Sequence, residues 1–340
     1  MPFMIIRSKA PFRVSFGGGG TDMPPYCTEH GGCVVSTTID RHIYISIEPR
    51  NDKKIRIIST DFNEEYVYNL KDADYSDGFE LFKATIKILN IKDGFNITIS
   101  SDLPVGSGMG GSSTLVVALI GAFNELYKLN FSKQEIAQKA YEIERIELKQ
   151  KGGYQDQYAA AYGGFNFIEF KDVVKIYPIN TTPDMINELQ YRTILCFVGG
   201  SHFSSEIQDE VLKGYKFEKK SFIDSMQDLK DIAIEMKHIV ESNDISKLDQ
   251  FGELIHQGWL AKKSLSSKIS NKNIENFYLT SRKFGVIGGK LLGAGGGGHL
   301  LLFSDPDKKF DVIRELRKIG GIIINFHFNP KGLEVWKYKN

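Results

Sequence analysis

The sequence predicts a protein of two domains that mixes strands with helices. Three observations carry this. Short alternating runs fill the first hundred residues, two long helices with polar faces lie in the second half, and the composition shifts near residues 178 to 190. A chain of 340 residues has room for two domains, and the shift places them at 1–185 and 186–340.

Taken in order, "CVVSTTID", "HIYISIEP" and "GFNITISSDLP" alternate apolar and polar residues and read as strands. A helix is expected from Glu80 to Leu89. "SSTLVVALIGAFNELYKL" is apolar nearly all round, which predicts a buried helix. The helix within "FSKQEIAQKAYEIERIELKQKGG" opens on a capping box, Ser132 with Glu135, and turns Ile136, Ala140 and Ile143 inward. Gly152 and Gly153 are its expected stop. "GGYQDQYAAAYGGFNFIEF" then links a helix to a strand, and "YRTILCFVG" reads as a strand beyond the shift. Helices are expected at Ser221 to Ser242 and Ile245 to Lys263, then one more before a glycine-rich segment. "HLLLFS", a helix near Phe310 to Ile319 and a last strand "GIIINFHF" complete the chain, with no internal repeat.

Composition narrows the function. Basic and acidic residues number 43 and 42, so no charge excess argues for nucleic acid or a membrane as partner. The three cysteines, Cys27, Cys33 and Cys196, are odd in number and form no CxxC pair, which fits a reducing cytoplasm without structural disulfides. The seven histidines make no HExxH. "MPFMIIRSKAPFR" has too short an apolar core for a signal peptide. No run of about 18 apolar residues predicts a membrane span.

Three glycine clusters stand out: "APFRVSFGGGGTDMPPY", "LPVGSGMGGSS" and "GGKLLGAGGGGHLLLF". Glycine-rich loops let a ligand approach the backbone, and successive amides make an anion-binding nest. The second cluster runs into a helix, whose N-terminus adds free amides and the positive end of its dipole. Tight turns are the plain alternative for any one cluster. GxxxxGK[ST] is absent, since Leu291 follows Lys290, and the protein-kinase signatures are absent too.

"PVGSGMGGSS" resembles the phosphate-binding loop of the GHMP kinases, PxGxGLGSS. "APFRVSFGGGGTD" and "KLLGAGGGGHLLLF" are similar to that superfamily's N-terminal and C-terminal motifs, and all three occur in the family's order. "FGGGGTDMPPY", "GGYQDQYAAAYGGFN" and "KKSLSSKIS" further resemble the D-glycero-D-manno-heptose 7-phosphate kinases. Gly19 and Gly20 stand where galactokinases keep a Glu-His pair. The resemblance implies an α+β fold, with an N-terminal domain like ribosomal protein S5 domain 2 and a ferredoxin-like C-terminal domain. It implies transfer of the γ-phosphate of ATP to the anomeric C1 hydroxyl of a heptose 7-phosphate, in nucleotide-activated heptose biosynthesis. The rivals are another GHMP sugar kinase of fucose or galactose type, and a non-catalytic sensor on the same fold.

The same resemblance assigns roles. Pro104, Gly106, Ser107, Gly108, Gly110, Gly111, Ser112 and Ser113 would hold the nucleotide phosphates. Ser112 and Glu144 would hold Mg²⁺; the alternatives are a helix cap for the serine and a solvated helical acid for Glu144. Asp156 would take or orient the acceptor's proton, or else cap a helix, and Arg13 would bridge Asp156 to the transferred phosphate. Gly19, Gly20, Thr21, Asp22, Gln155 and Gly296 would bind the sugar. "HFSSEI" and "KKSLSSK" supply candidate cations for the sugar's distal phosphate. The expected partners are a small sugar phosphate and ATP, and a homodimer is compatible with the sequence.

Overall fold

A computed structural model describes residues 4–61, 63–70, 75, 78–200, 204–216 and 220–339. The first half runs β1 (Met4–Gly17), α1 (Tyr26–His30), β2 (Gly32–Arg50), β3 (Lys54–Ser59), β4 (Glu64–Asn69), α2 (Glu80–Ile88) and β5 (Gly94–Ser101). It continues with α3 (Gly111–Tyr127), α4 (Lys133–Tyr141), a π-helical turn (Glu142–Glu147), α5 (Gln155–Tyr162), β6 (Asn166–Phe170) and β7 (Lys175–Pro178). The second half holds α6 (Pro183–Arg192), β8 (Thr193–Phe197), α7 (Ser204–Lys216), α8 (Lys220–Glu241), α9 (Leu248–Ser264) and α10 (Lys272–Lys283). It closes with β9 (Val286–Leu291), β10 (His299–Ser304), α11 (Lys309–Lys318), β11 (Ile322–Ile324), β12 (Phe328–Asn329) and β13 (Glu334–Lys339).

Among the described residues, nine strands form one sheet and four the other. The large sheet has the path β13-β1-β2-β5-β3-β4, with β6 and β12 also pairing with β2, and β7 on β6. β1 and β2 are its spine, and the apolar helix α3 packs on both. Val116, Leu119, Ile120 and Phe123 of α3 are fully buried there, which explains why that helix has no polar face. The small sheet has the antiparallel order β11-β8-β10-β9, that is 4-1-3-2 in chain order, with α10 and α11 packed together. A second cluster around Trp259, Phe277, Leu300 and Leu302 is its core. No helix among the described residues is long and apolar enough to cross a membrane. Cys27, Cys33 and Cys196 are free and buried.

Several elements depart from expectation. The helix that opens on the Ser132–Glu135 capping box does not reach Gly152. It widens into the π turn at Glu142 and ends with Glu147, where Leu148 and Gln150 amides donate to the carbonyls of Ile143 and Glu144. "GIIINFHF" is two strands in different sheets: β11 stays in the small sheet, and β12 crosses to pair with β2. The final strand β13 and the strand β9 had no clear pattern. β9 carries glycines because α9 lies directly on it: a Cβ on Gly288 would stand 1.8 Å from the carbonyl oxygen of Gly252.

Candidate active site

The site begins on β1. Alternation along the strand turns Arg13 and Ser15 to the same face, and both are buried, at 4% and 5% exposure. They look into an open cavity lined from both sheets. Asp22, Asp156, Gln155, Gly19, Gly20, Arg145, Lys262 and Lys290 also line it.

The glycine loop joins β5 to α3. Its backbone is anchored to β1, where the Arg13 amide donates to the Met109 carbonyl at 3.2 Å. Gly108 has φ +75°, and a Cβ there would stand 2.7 Å from the carbonyl oxygen of Leu292, so the third glycine cluster lies directly on the second. His299 seals the contact by donating from Nδ1 to the Ser107 carbonyl at 2.7 Å. Gly110 is the N-cap of α3, and no side chain caps the helix. Ser112 and Ser113 therefore do not cap. Their hydroxyls donate to Glu144 at 2.7 and 2.6 Å. The first amides of α3 are left without a side-chain acceptor, as at known anion sites.

Glu144 reaches that point because the π turn, one residue wider than an α turn, rotates it inward. It is fully buried, not solvated, and accepts a third hydrogen bond from Gln157 Nε2 at 2.5 Å. Asp156 lies in the first turn of α5, not at its N-cap. Its Oδ1 accepts from Arg13 Nε at 2.7 Å, while Arg13 Nη1 donates to the Gly108 carbonyl at 2.9 Å. One guanidinium thus joins the carboxylate to the glycine loop.

Asp22 is 2% exposed, and burial pushes its carboxyl above the usual carboxylate range. It accepts from the Gly20 amide, the Gln155 amide and Gln155 Nε2 at 3.0–3.1 Å, fixing the start of α5. Thr21 is turned away from the cavity. Its hydroxyl donates to Gly18 O and accepts from the Cys33 amide, and it is wholly buried. Gly296 is likewise outside the lining, with its amide given to Ile269 O. Pro104 stands exposed at the loop's start. Of the proposed distal cations, Lys262 faces the cavity and Lys268 pairs with Glu210 at 2.8 Å. His202 lies outside the described residues.

Sequence reasoning missed Lys290, Ser15 and Arg145. Lys290 is 4% exposed, and burial with Lys262 and Arg13 nearby holds its ammonium well below the usual lysine range. A lone lysine inside the glycine and leucine run of "GGKLLG" was the available signal, since a strand interior rarely keeps a charge without a use.

Comparison with known proteins adds to this geometry. Residues 79–164 match the family described as GHMP kinases N terminal domain, and residues 239–321 match GHMP kinases C terminal. The chain is 37% identical to D-glycero-alpha-D-manno-heptose 7-phosphate kinase of Campylobacter jejuni, over 98% of this chain and 99% of that one. The crystal structure of a D-glycero-D-manno-heptose 1-phosphate kinase from Bacteroides thetaiotaomicron superposes with a TM-score of 0.81 at 31% identity, covering 98% of this chain and 100% of the other. Lactococcus lactis galactokinase, solved with galactose, shares the fold at a TM-score of 0.79 and 18% identity, covering 97% and 95%.

Proposed function

The chain belongs to the GHMP kinases, and on that premise we propose that it transfers the γ-phosphate of ATP to the C1 hydroxyl of D-glycero-D-manno-heptose 7-phosphate. The relative of 37% identity supports the choice of sugar. The observation that carries the mechanism is the Arg13 bridge between Asp156 and the Gly108 carbonyl. It puts a carboxylate, a fixed cation and the phosphate loop within one hydrogen-bonded unit.

On this reading the amides from Gly106 to Ser113 hold the nucleotide phosphates at the mouth of α3. Asp156, whose Oδ1 is pinned by Arg13, presents its other oxygen to the acceptor hydroxyl and takes or orients its proton. Arg13 balances the charge that develops as the phosphoryl group moves. Ser112 and Glu144 fit Mg²⁺ through oxygen donors 2.7 Å apart, the serine exposed at the helix mouth. When bound, the ion would neutralise phosphate charge. Gly19, Gly20, Asp22 and Gln155 form the sugar side, in a cleft between segments 1–185 and 186–340, and the enzyme works in the cytoplasm, where its nucleotide is found.

A coupled assay of ADP release tests this over heptose 7-phosphate, unphosphorylated heptose, fucose and galactose. Turnover is expected with the heptose 7-phosphate, and turnover of only unphosphorylated sugars would remove the substrate claim. Asp156→Asn is expected to lower kcat about 100-fold or more with ATP binding kept. Near wild-type turnover in that variant ends its catalytic role.

A further inference from the structure

The proposed chemistry leaves part of the cavity unused. Lys290 Nζ has one protein acceptor within reach, Phe16 O at 3.5 Å. Ser15 Oγ is buried and makes no hydrogen bond among the described residues. A Cβ on Gly19 would stand 3.7 Å from each of these atoms and 3.9 Å from Gln155 Nε2, so three polar groups surround one point that the glycine keeps open. Lys262 lines the same cavity, 7% exposed, and donates only to the backbone carbonyls of Gly293 and Leu291.

Charge argues in the same direction. Among the described residues four cations line the cavity, Arg13, Arg145, Lys262 and Lys290, against two carboxylates, Asp22 and Asp156, and Arg145 has Glu144 behind it at 3.8 Å. Arg13 is matched to Asp156, and Asp22 is taken up by Gly20 and Gln155. Among the described residues neither Lys262 nor Lys290 has a carboxylate within ion-pair distance. Two buried ammonium groups without a counter-charge are costly in the free protein. An arriving dianion relieves that cost, and this is a common way to build specificity for a phosphorylated ligand.

We propose that Lys290, Lys262 and Ser15 form a seat for the phosphate monoester that the sugar substrate already carries, in the same cavity as the Arg13–Asp156 pair where transfer occurs. The inference rests on the reading of the chain as a sugar phosphate kinase. Arg13 and Ser15 are two residues apart on one strand face, about 7 Å, so they stand at separate points of the cavity wall. The same phosphate chemistry is also offered by the phosphoryl group in transfer, and kinetics separate the two sources.

The test is the ratio of kcat/KM for heptose 7-phosphate to that for unphosphorylated heptose, measured on wild type, Lys290→Met and Ser15→Ala. The ratio is expected to fall about 10–100-fold in Lys290→Met and less in Ser15→Ala, through KM for the sugar phosphate, with KM for ATP unmoved. Inorganic phosphate is expected to compete with the sugar phosphate and not with ATP on the wild-type enzyme, a readout that needs no variant. An unchanged ratio in both variants overturns the seat. So does a fall in kcat that is equal for both sugars, which assigns Lys290 to the transferred group, or an absence of competition by inorganic phosphate. A wild type that never uses the sugar phosphate sinks the proposed function and the seat together, whereas a wild type that does, with an intact ratio in the variants, sinks the seat alone.

Discussion

Burial brings the ammonium of Lys262 down to about 8 from 10.5, with Arg13 adding to the fall and Asp22 and Asp156 opposing it. Burial, with Lys262 and Arg13 nearby, holds the ammonium of Lys290 well below the usual lysine range. The sign of the linkage follows. A base with a folded pKa below its unfolded value weakens the fold while it is charged, so the penalty is full below about pH 8 and fades as pH rises toward 10.5. Lys262→Met is therefore expected to raise stability at pH 7 by about 1–3 kcal/mol, with the gain shrinking above pH 8. Urea midpoints at pH 7 and pH 9.5 measure it. A lower midpoint at pH 7 would show that the bonds from Nζ to Gly293 O and Leu291 O outweigh the desolvation. Residues of this kind were hard to read from the sequence. Asp156, Arg13 and Ser112 sit inside recognisable motifs, whereas Ser15 and Lys290 are 275 positions apart and meet only in the fold.

The loop and the π turn decide which groups meet at the mouth of α3. The loop was legible because glycines in that order, ahead of an apolar helix, have few other uses. The π turn was not, because its sequence "EIERIE" is ordinary for an α-helix, and only packing selects the wider turn that buries both Ile143 and Glu144. The loop's fit is narrow. Gly108 needs φ +75° and has no room for a side chain against Leu292 O. Gly108→Ala is expected to destabilise the protein by about 1–3 kcal/mol and to raise KM for ATP by about tenfold, as the two glycine clusters part. Thermal unfolding and ATP kinetics read the two effects separately. An unmoved KM for ATP would detach the loop from the nucleotide.

Across the whole molecule, the first and last strands lie side by side. β13 pairs with β1 from Met4↔Lys339 to Lys9↔Glu334, and β1 goes on to carry Arg13 and Ser15. Leu333, just before β13, packs so closely on α3 that a Cβ on Gly121 would stand 2.6 Å from it. Ending the chain after Gly332 is expected to cost about 2–5 kcal/mol from the lost leucine alone and to lower turnover, since β1 loses a neighbour. The urea midpoint together with kcat of the folded fraction tests this, and an unchanged midpoint would make β13 accessory. The change in composition near residues 178 to 190 falls between β7 and α6, where the chain leaves the large sheet for the small one. The return of the last strands to the first sheet was not legible in the sequence, because β13 is a half-exposed edge strand whose residues carry little alternation.

The sequence by itself determined the class of chemistry: three glycine clusters in one order, a buried helix behind the second, and an aspartate and an arginine inside the motifs that resemble the family's. Those are local patterns, set by what a backbone needs in order to wrap phosphates, and they survive being read one segment at a time. Only the tertiary structure decided which polar groups share the cavity, turning Thr21 away, drawing Glu144 inward and bringing Lys290 beside Ser15. Burial and unbalanced charge are properties of the packed whole, and a linear pattern does not contain them.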